Sequence, residues 1–268
     1  MTWDDPALAD ACDELSLWSA PFGLALLEAV ELRPGITALD VGCGTGFPAI
    51  ELAQRLGPAS TVHGVDVSRA ALARARRKLE VLGAGNVRLH ETSAERLPFP
   101  DGSIDLIVSN NGFNNVGAVA AALGECARVA RPGAQLVYAY NLPGSMREFY
   151  GVYEAVLAER GMECERRAVA AHILEKRKPL DFTVAQLERV GFRVARVTEG
   201  SFALRFADAA ALFAHSFVRL AFAPSWLAIL EPSARGPVFA EIARRLDARA
   251  EGGLSLAIPF ACCDCRRA

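Results

Sequence analysis

The chain has 268 residues, of which 52% are hydrophobic and 22% charged, a composition typical of a globular protein with one large core. Its formal net charge of −2 excludes the dominant basic field that nucleic-acid-binding proteins usually carry, so no nucleic-acid partner is predicted. The seven cysteines are odd in number and follow no disulfide framework, which predicts reduced thiols.

Two stretches bear on where the protein works. The acidic start, MTWDDPALAD, has neither the basic residues nor the apolar core of a secretory signal, which predicts a cytoplasmic protein. The longest apolar region, residues 212–230, is long enough for a membrane span, but His215 and Arg219 lie within it and Pro224 interrupts it. We therefore predict no membrane span and interpret the region as a buried or lid-forming helix pair, with a homodimer interface as the alternative.

Strand and helix signals alternate along the whole chain. Helical spacing predicts helices at residues 1–35, after the glycines at 42–46, and at 69–82, 119–130, 146–160, 163–177, 183–190 and 208–250. Short apolar runs predict seven strands, at residues 36–42, 61–67, 86–91, 104–110, 134–142, 192–200 and 253–263. The alternation predicts an α/β fold with a doubly wound, mostly parallel, Rossmann-like sheet. We expect a single domain over 1–268, with helical additions at 1–35, 143–178 and 208–250 that form a cap or substrate pocket.

Local signals set several boundaries. Pro48 suits the first turn of a helix, and Ser68 is placed to cap the helix that begins at Arg69. That helix should bury its apolar stripe, Leu72, Ala75, Leu79 and Leu82. The pair Thr183 and Gln186 has the spacing of a capping box, and helical spacing ends before Arg131-Pro132-Gly133, which the predicted fifth strand follows.

The glycine stretch LDVGCGTG is the strongest functional signal. Gly42, Gly44 and Gly46 directly follow the first strand, where glycine permits positive φ and lets a ligand approach the backbone. The spacing is not the G-x-G-x-x-G of dinucleotide-binding proteins. Asp40 on the strand favours a ligand with an ammonium group over one with a diphosphate. Asp66, which ends the second strand, offers two acceptor oxygens that suit a ribose diol.

LDVGCGTG, the acid of GVDVS and the segment SAERLPFPDGSIDLIVSN together resemble a class I S-adenosylmethionine-dependent methyltransferase. The most similar group is the small-molecule one that includes the quinone-biosynthesis C-methyltransferases. The resemblance runs from about Asp13 to Arg193 and is strongest over 36–142. It implies S-adenosylmethionine as cofactor, methyl transfer as activity, and a small, partly apolar molecule as substrate.

The resemblance also implies roles for single residues. Gly42, Cys43 and Gly44, in the loop with Gly46, would present backbone to the methionine part of the cofactor, and Asp40 would hold that loop and the amino group. Asp66 would bind the ribose hydroxyls.

Further positions would contact the rest of the cofactor. Val67 would pack on the adenine. Ser93-Ala94-Glu95 occupies the place where the family often has Asp-Ala-Glu, so serine replaces the acid that would receive the adenine amine. Asn110 ends the fourth strand, where the family places a residue that lines the cofactor.

Substrate residues are less clear from the sequence. SNNGFNNV, residues 109–116, follows the fourth strand, so Asn111 and Phe113 are candidates for substrate contact, and Asn114 and Asn115 are weaker ones; a helix cap and turn is the alternative. Trp18 and Phe22 are candidates for a lid, or for ordinary helix packing. Phe149 and Tyr150, with Phe113, are candidates for an apolar pocket wall, with core packing as the alternative. The candidates for a general base are His90, His172 and His215, and His90 is alternatively an ordinary histidine of the core or sheet edge.

The cysteines near the end of the chain predict no metal site. Cys262, Cys263 and Cys265 include a Cys-x-x-Cys pair, but a zinc site needs a second pair of ligands and the sequence has none. Two alternatives to a methyltransferase of small molecules stay open: a protein that binds S-adenosylmethionine or S-adenosylhomocysteine without catalysis, and an arsenite-type methyltransferase that uses Cys164 and the late cysteines.

Overall fold

The structure, a computed structural model, describes residues 17–249 and 252–268. The described chain forms two compact units. The larger one contains the residues up to Asn141, Pro179–Glu199 and Phe260–Ala268, and the smaller one contains Leu142–Lys178 and Gly200–Pro259. The expectation of a single domain whose helical additions form a cap stays a prediction. Residues 1–16 of the predicted addition at 1–35 lie outside the described residues.

The sheet has seven strands, as predicted. They are β1 (Thr37–Val41), β2 (Thr61–Asp66), β3 (Val87–Glu91), β4 (Ile104–Asn110), β5 (Ala130–Asn141), β6 (Phe192–Phe206) and β7 (Leu254–Arg267). Their order is β3-β2-β1-β4-β5-β7-β6. The pairs from β3 to β5 are parallel, and β7 runs antiparallel to β5, which confirms the doubly wound, mostly parallel fold class.

The helices of the larger unit connect these strands. They are α1 (Ala20–Ala29), α2 (Ala49–Leu56), α3 (Arg69–Leu82), α4 (Val119–Val129) and α7 (Leu180–Arg189), with a 3₁₀ turn over Gly112–Asn115. The helices of the smaller unit are α5 (Arg147–Glu159), α6 (Glu163–Lys176), α8 (Ala209–Ala214), α9 (Ala223–Ala228) and α10 (Pro232–Arg249), with a π-helical turn over Val218–Phe222.

Several boundary signals hold in the structure. The helix after the glycines begins beside Pro48, and its periodic residues Ala49, Leu52, Ala53 and Leu56 are all buried. Ser68 caps α3, because its side chain accepts a hydrogen bond from the Ala71 N–H at 3.1 Å. Both were predicted, since apolar periodicity and a short polar cap are local properties.

Three local predictions are wrong. Leu82 is 51% exposed and Leu79 is only half-buried, so the predicted stripe of α3 is buried only at Leu72 and Ala75. Thr183 lies inside α7 and its hydroxyl donates back to the Pro179 carbonyl at 3.2 Å, so no capping box forms. Arg131 belongs to β5, whose register against β4 shifts so that the extra residues bulge out of the ladder.

The smaller unit has an aromatic core of its own. The Phe149 ring stacks on Trp226 with 4.1 Å between centroids, and Tyr150 meets Trp226 edge-on. Buried hydrogen bonds link the same rings: the Trp226 indole N–H donates to the Tyr150 hydroxyl at 2.9 Å, and the Tyr153 hydroxyl donates to the Trp226 carbonyl at 3.0 Å. Phe149 and Tyr150, candidates for a pocket wall, therefore belong to this core.

The apolar region over 212–230 does not form one long helix. It is divided among α8, the π-helical turn and α9, and none of the described helices is long and apolar enough to cross a membrane.

Candidate functional site

The order of the sheet locates the candidate site. Strand order reverses between β1 and β4, and in doubly wound sheets ligands bind beyond the carboxyl ends of the strands at such a point. The glycine loop follows β1, and the segment Asn111–Asn115 follows β4. The residues that the sequence singled out after these two strands are therefore brought to the same edge.

The glycine loop is anchored by its backbone. The N–H groups of Gly42 and Cys43 both donate to the Val65 carbonyl, at 2.9 and 3.1 Å, and the Gly44 N–H donates to the Asp66 carboxylate at 2.8 Å. Gly42, Gly44 and Gly46 have φ values of 77°, 53° and 106°, which residues with a Cβ rarely adopt. The glycines thus form a rigid turn held to the end of β2.

Asp40 is completely buried beneath this loop. Its Oδ2 accepts a hydrogen bond from the Ala49 N–H at 3.0 Å, whereas Oδ1 has no hydrogen-bond partner among the described residues. Burial raises the pKa of this carboxyl to about 8, with a smaller contribution from the nearby Asp66 charge. A cationic group beside Oδ1 would supply both the missing donor and the missing charge.

Asp66 shapes the next part of the edge. Its Oδ1 accepts from the Ser68 N–H and its Oδ2 from the Gly44 N–H, both at 2.8 Å. Burial raises the pKa of this carboxyl as well. A carboxylate oxygen can accept more than one hydrogen bond, so both oxygens keep room for a further donor. The neighbouring Val67 side chain is 60% exposed and offers an apolar surface beside them.

Asn110 closes the edge at the end of β4. Its Nδ2 donates to the Ser19 carbonyl at 3.0 Å, which fixes the amide, while its buried Oδ1 meets no donor in the part of the chain that the structure describes. Ser19 directly follows Trp18 and precedes α1, so this bond holds the start of α1 against the end of β4. Asn110 Oδ1 is a second buried acceptor without a donor.

Asn111 is the centre of a polar network. It adopts φ of 59°, and its Oδ1 accepts from Asn114 Nδ2 and from the Asn141 N–H, each at 3.2 Å. Asn114 Nδ2 also donates to Asn141 Oδ1, and the Tyr138 hydroxyl donates to Asn114 Oδ1. The buried Asn111 Nδ2 is left as a donor with no acceptor within residues 17–249 and 252–268. Because the network holds Oδ1, it fixes which way the amide points.

Comparison with known proteins matches this site to a family. A family described as "Methyltransferase domain" matches residues 38–133, the span from β1 into β5 that carries the glycine loop, Asp66 and Asn110. Residues 38–133 of this chain therefore match a methyltransferase domain. This confirms the recognition made from LDVGCGTG and the two segments that follow it.

Individual proteins are similar to this chain over differing shares of its length. The demethylmenaquinone methyltransferase of Geobacillus kaustophilus is 38% identical over 112 residues, which cover 42% of this chain and 48% of that protein. A SAM-dependent methyltransferase from Aquifex aeolicus has a TM-score of 0.54 at 24% identity and covers 72% of this chain and 92% of that one. The [4+2]-cyclase SpnF has a TM-score of 0.57 at 20% identity, over 92% of this chain and 80% of that one. The chain thus spans about half of the curated relative.

The segment after β3 of the methyltransferase domain departs from the family pattern at Ser93. The Ser93 hydroxyl accepts from the Glu95 N–H at 3.1 Å, and the Glu95 carboxylate accepts from the Ala118 N–H at 2.8 Å. Glu95 therefore ties this segment to the start of α4. The Ala94 N–H donates to no described residue and is available to a ligand.

The aromatic residues predicted to form a lid or to contact substrate are packed against other rings. Phe22 is fully buried and lies edge-on to Phe260 at 5.4 Å, with Trp18 edge-on to Phe22 at 5.5 Å. Phe113 is 1% exposed and lies edge-on to Tyr138. Trp18 is the more accessible of the three, and a substrate role for any of them stays a prediction.

The histidine candidates for a general base are divided between the two units. His90 Nε2 lies 2.9 Å from His63 Nδ1, and both rings pack on Phe99. His172 and His215 belong to the smaller unit. None of these placements assigns a general base.

Five of the six described thiols are buried. Cys43 is 1% exposed with its sulfur against Gly64, and burial raises its pKa well above the usual value. Burial also raises the pKa of Cys262 to about 12 and of Cys263 to about 11. Cys262 and Cys265 are three residues apart on β7, so their side chains point to opposite faces of the sheet and cannot chelate one ion together.

Two features of the site were missed from the sequence. Gly112 packs directly on the glycine loop, and a Cβ there would lie 2.1 Å from the Val41 carbonyl oxygen. Asn141, at the end of β5, completes the asparagine network. Its signal was available, since it ends the strand next to β4, at the carboxyl edge where ligands bind.

Proposed function

We propose that this protein binds S-adenosylmethionine at the edge formed by β1, β2 and β4 and transfers its methyl group to a small, partly apolar molecule. The observation that carries the proposal is the fully buried Asp40, whose Oδ1 meets no donor within the described chain, beneath the glycine loop of a methyltransferase domain. A buried carboxylate without a charge partner is unfavourable unless a ligand supplies one.

The residues present fit the cofactor. The ammonium group of its methionine part would take the unfilled Asp40 Oδ1, and Asn110 Oδ1 is a second acceptor for the same part. Asp66 would accept from the ribose hydroxyls with the lone pairs that its two backbone contacts leave. Val67 would pack on the adenine, and the Ala94 N–H would donate to the ring in place of the contact that an acid at Ser93 would make.

The cofactor supplies a methyl group that is already activated on a sulfonium. The protein's part is therefore to orient the acceptor and exclude water. Asn111 Nδ2 is the donor placed to orient a polar group of the acceptor, because the network through Asn114 and Asn141 holds the rest of its amide. Trp18 would cover the cofactor, and the bond from Asn110 to the neighbouring Ser19 carbonyl supports this role.

The similarity to demethylmenaquinone methyltransferases makes a quinol head group the first acceptor to test. An arsenite-type activity is disfavoured, because it needs accessible thiols, and of the six described cysteines only Cys164 is exposed. The second candidate is a cofactor-binding protein without methyl transfer. It is retained because a protein of similar fold is named as a cyclase and not as a methyltransferase.

Calorimetric titration of S-adenosylmethionine and S-adenosylhomocysteine into ligand-free protein tests the binding step. We expect micromolar affinity that Asp66→Ala abolishes, and that Glu80→Ala, which removes an exposed acid from α3, preserves. A wild-type protein that binds neither compound would overturn the proposal. Binding with no methyl transfer to any quinol, phenol or amine acceptor would favour the non-catalytic alternative.

A further inference from the structure

The smaller unit buries a cation. Arg177, which directly follows α6, is 2% exposed, and its Nε and Nη1 have no hydrogen-bond partner among residues 17–249 and 252–268. Its guanidinium carbon lies 5.2 Å from the centre of the Tyr150 ring. The guanidinium of an arginine carries a positive charge and five N–H donors.

The surroundings of Arg177 supply no anion. Glu175, two residues away, pairs with Lys176 at 3.1 Å, and Arg177 forms no ion pair in the part of the chain that the structure describes. The Tyr150 hydroxyl already accepts from the Trp226 indole. Burial and the Arg177 charge lower the pKa of His172, whose ring lies 6.3 Å from Tyr150, so a second cation is disfavoured there.

The contact with the Tyr150 face compensates only part of this burial. A cation over an aromatic ring is stabilised through the ring's face, but the N–H groups at the edge of the guanidinium still lack acceptors. Nε carries one N–H and Nη1 carries two, and a buried donor without an acceptor is unfavourable. The described residues therefore leave Arg177 N–H donors that a bound ligand could satisfy.

We propose that Arg177 anchors an oxyanion-binding site in the smaller unit, which takes a small molecule through a carboxylate or phosphate group. The planar guanidinium is suited to both groups, because its N–H donors match the spacing of their oxygens. Tyr150 forms the floor of the site beneath the guanidinium, and His172 lies beside it as a further donor. The inference goes beyond the proposed methyl transfer and does not depend on it.

The test uses the full chain with two probes, inorganic phosphate and benzoate, each titrated at constant ionic strength against sodium chloride. We expect one of them to raise the thermal midpoint of the wild type saturably and to shift the Arg177 Nε–H signal in NMR spectra. The probe that acts identifies the carboxylate or the phosphate as the source.

Two substitutions locate the effect. Arg177→Met should abolish the response and, without any anion, should not lower the thermal midpoint, because it removes a buried unpaired charge while keeping the length of the side chain. Arg167→Met removes an exposed arginine from α6, the helix that Arg177 follows, and should leave the response unchanged. Neither substitution should alter the affinity for S-adenosylmethionine.

Two results would overturn the inference: a wild type that responds to neither probe beyond chloride, or an equal response in Arg177→Met. If Arg177→Met does not fold, Arg177→Lys decides. It retains the charge but loses the planar arrangement of donors, so we expect binding at least about tenfold weaker, and unchanged binding would also overturn the inference.

Discussion

Gly42 and Gly112 are in direct backbone contact across the carboxyl edge of the sheet. A Cβ on Gly42 would lie 2.7 Å from Gly112 Cα, and a Cβ on Gly112 would lie 2.1 Å from the Val41 carbonyl oxygen. The Ser109 hydroxyl donates to that same carbonyl at 2.8 Å. The loop after β1 and the turn after β4 are therefore in backbone contact, and a side chain at either glycine would force the two segments apart.

Gly112→Ala should destabilise the protein by more than about 2 kcal/mol, because the added methyl displaces backbone rather than a flexible side chain. The matched control is Gly124→Ala within α4, where a Cβ would meet nothing within 4 Å. That change should stabilise the protein by about 0.5–1 kcal/mol, the helix preference for alanine over glycine. Urea unfolding measures both, and equal effects would contradict the contact.

Asp40 should make the ligand-free protein less stable as the pH rises. Its folded pKa of about 8 lies above the ordinary value of 3.8, so between these two values the folded state holds a proton that the unfolded state has released. The stability that this group contributes is complete below about pH 4 and is lost as pH rises through 8. The steepest loss is about 1.4 kcal/mol per pH unit.

Asp40→Asn isolates this effect. The amide does not titrate, and its oxygen can still accept from the Ala49 N–H, so the variant should gain in thermal midpoint over the wild type steadily from pH 5 to pH 8. Asp66, whose pKa is also raised, titrates in both proteins and largely cancels in the difference. Parallel stability curves for the two proteins would show that Asp40 is ionised throughout.

The same carboxyl should couple cofactor binding to proton release. If the ammonium of S-adenosylmethionine occupies Asp40 Oδ1, binding requires the carboxylate, so affinity should rise with pH between about 6 and 7.5, by up to about tenfold per unit. Calorimetry in buffers of different ionisation enthalpy counts the protons released, and we expect up to about one near pH 6.5. Binding without proton release would place the ammonium elsewhere.

Much of the larger unit could be predicted from the sequence because its signals are local. The alternation of apolar runs and helical spacing gave all seven strands, and Pro48 and Ser68 marked the starts of two helices that the structure has there. The glycine loop, Asp40 and Asp66 were found because their residue types and spacing carry the chemistry directly.

The rest depends on tertiary contacts that no local pattern encodes. Gly112 looks like an ordinary turn residue until the turn is placed against Val41. The segment EKRKP around Arg177 has the composition of a solvated helix end, yet packing buries the guanidinium over Tyr150. The fifth strand was expected to begin at Ala134, but β5 begins at Ala130, and its register against β4 shifts so that Arg131 lies in a bulge.

The hydrogen bond between Trp226 and Tyr150 should stabilise the smaller unit more than the one between Tyr153 and Trp226. Tyr150→Phe leaves the indole N–H of a fully buried tryptophan without an acceptor, which should lower the free energy of unfolding by about 1–3 kcal/mol. Tyr153→Phe removes the donor hydroxyl itself and leaves only a carbonyl short of one partner, so a smaller loss, about 0.5–1.5 kcal/mol, is expected. Urea unfolding of the two variants compares them directly. A larger loss of unfolding free energy in Tyr153→Phe than in Tyr150→Phe would contradict this order. Because Tyr150→Phe keeps the ring face beneath Arg177, it should leave the response to phosphate or benzoate intact.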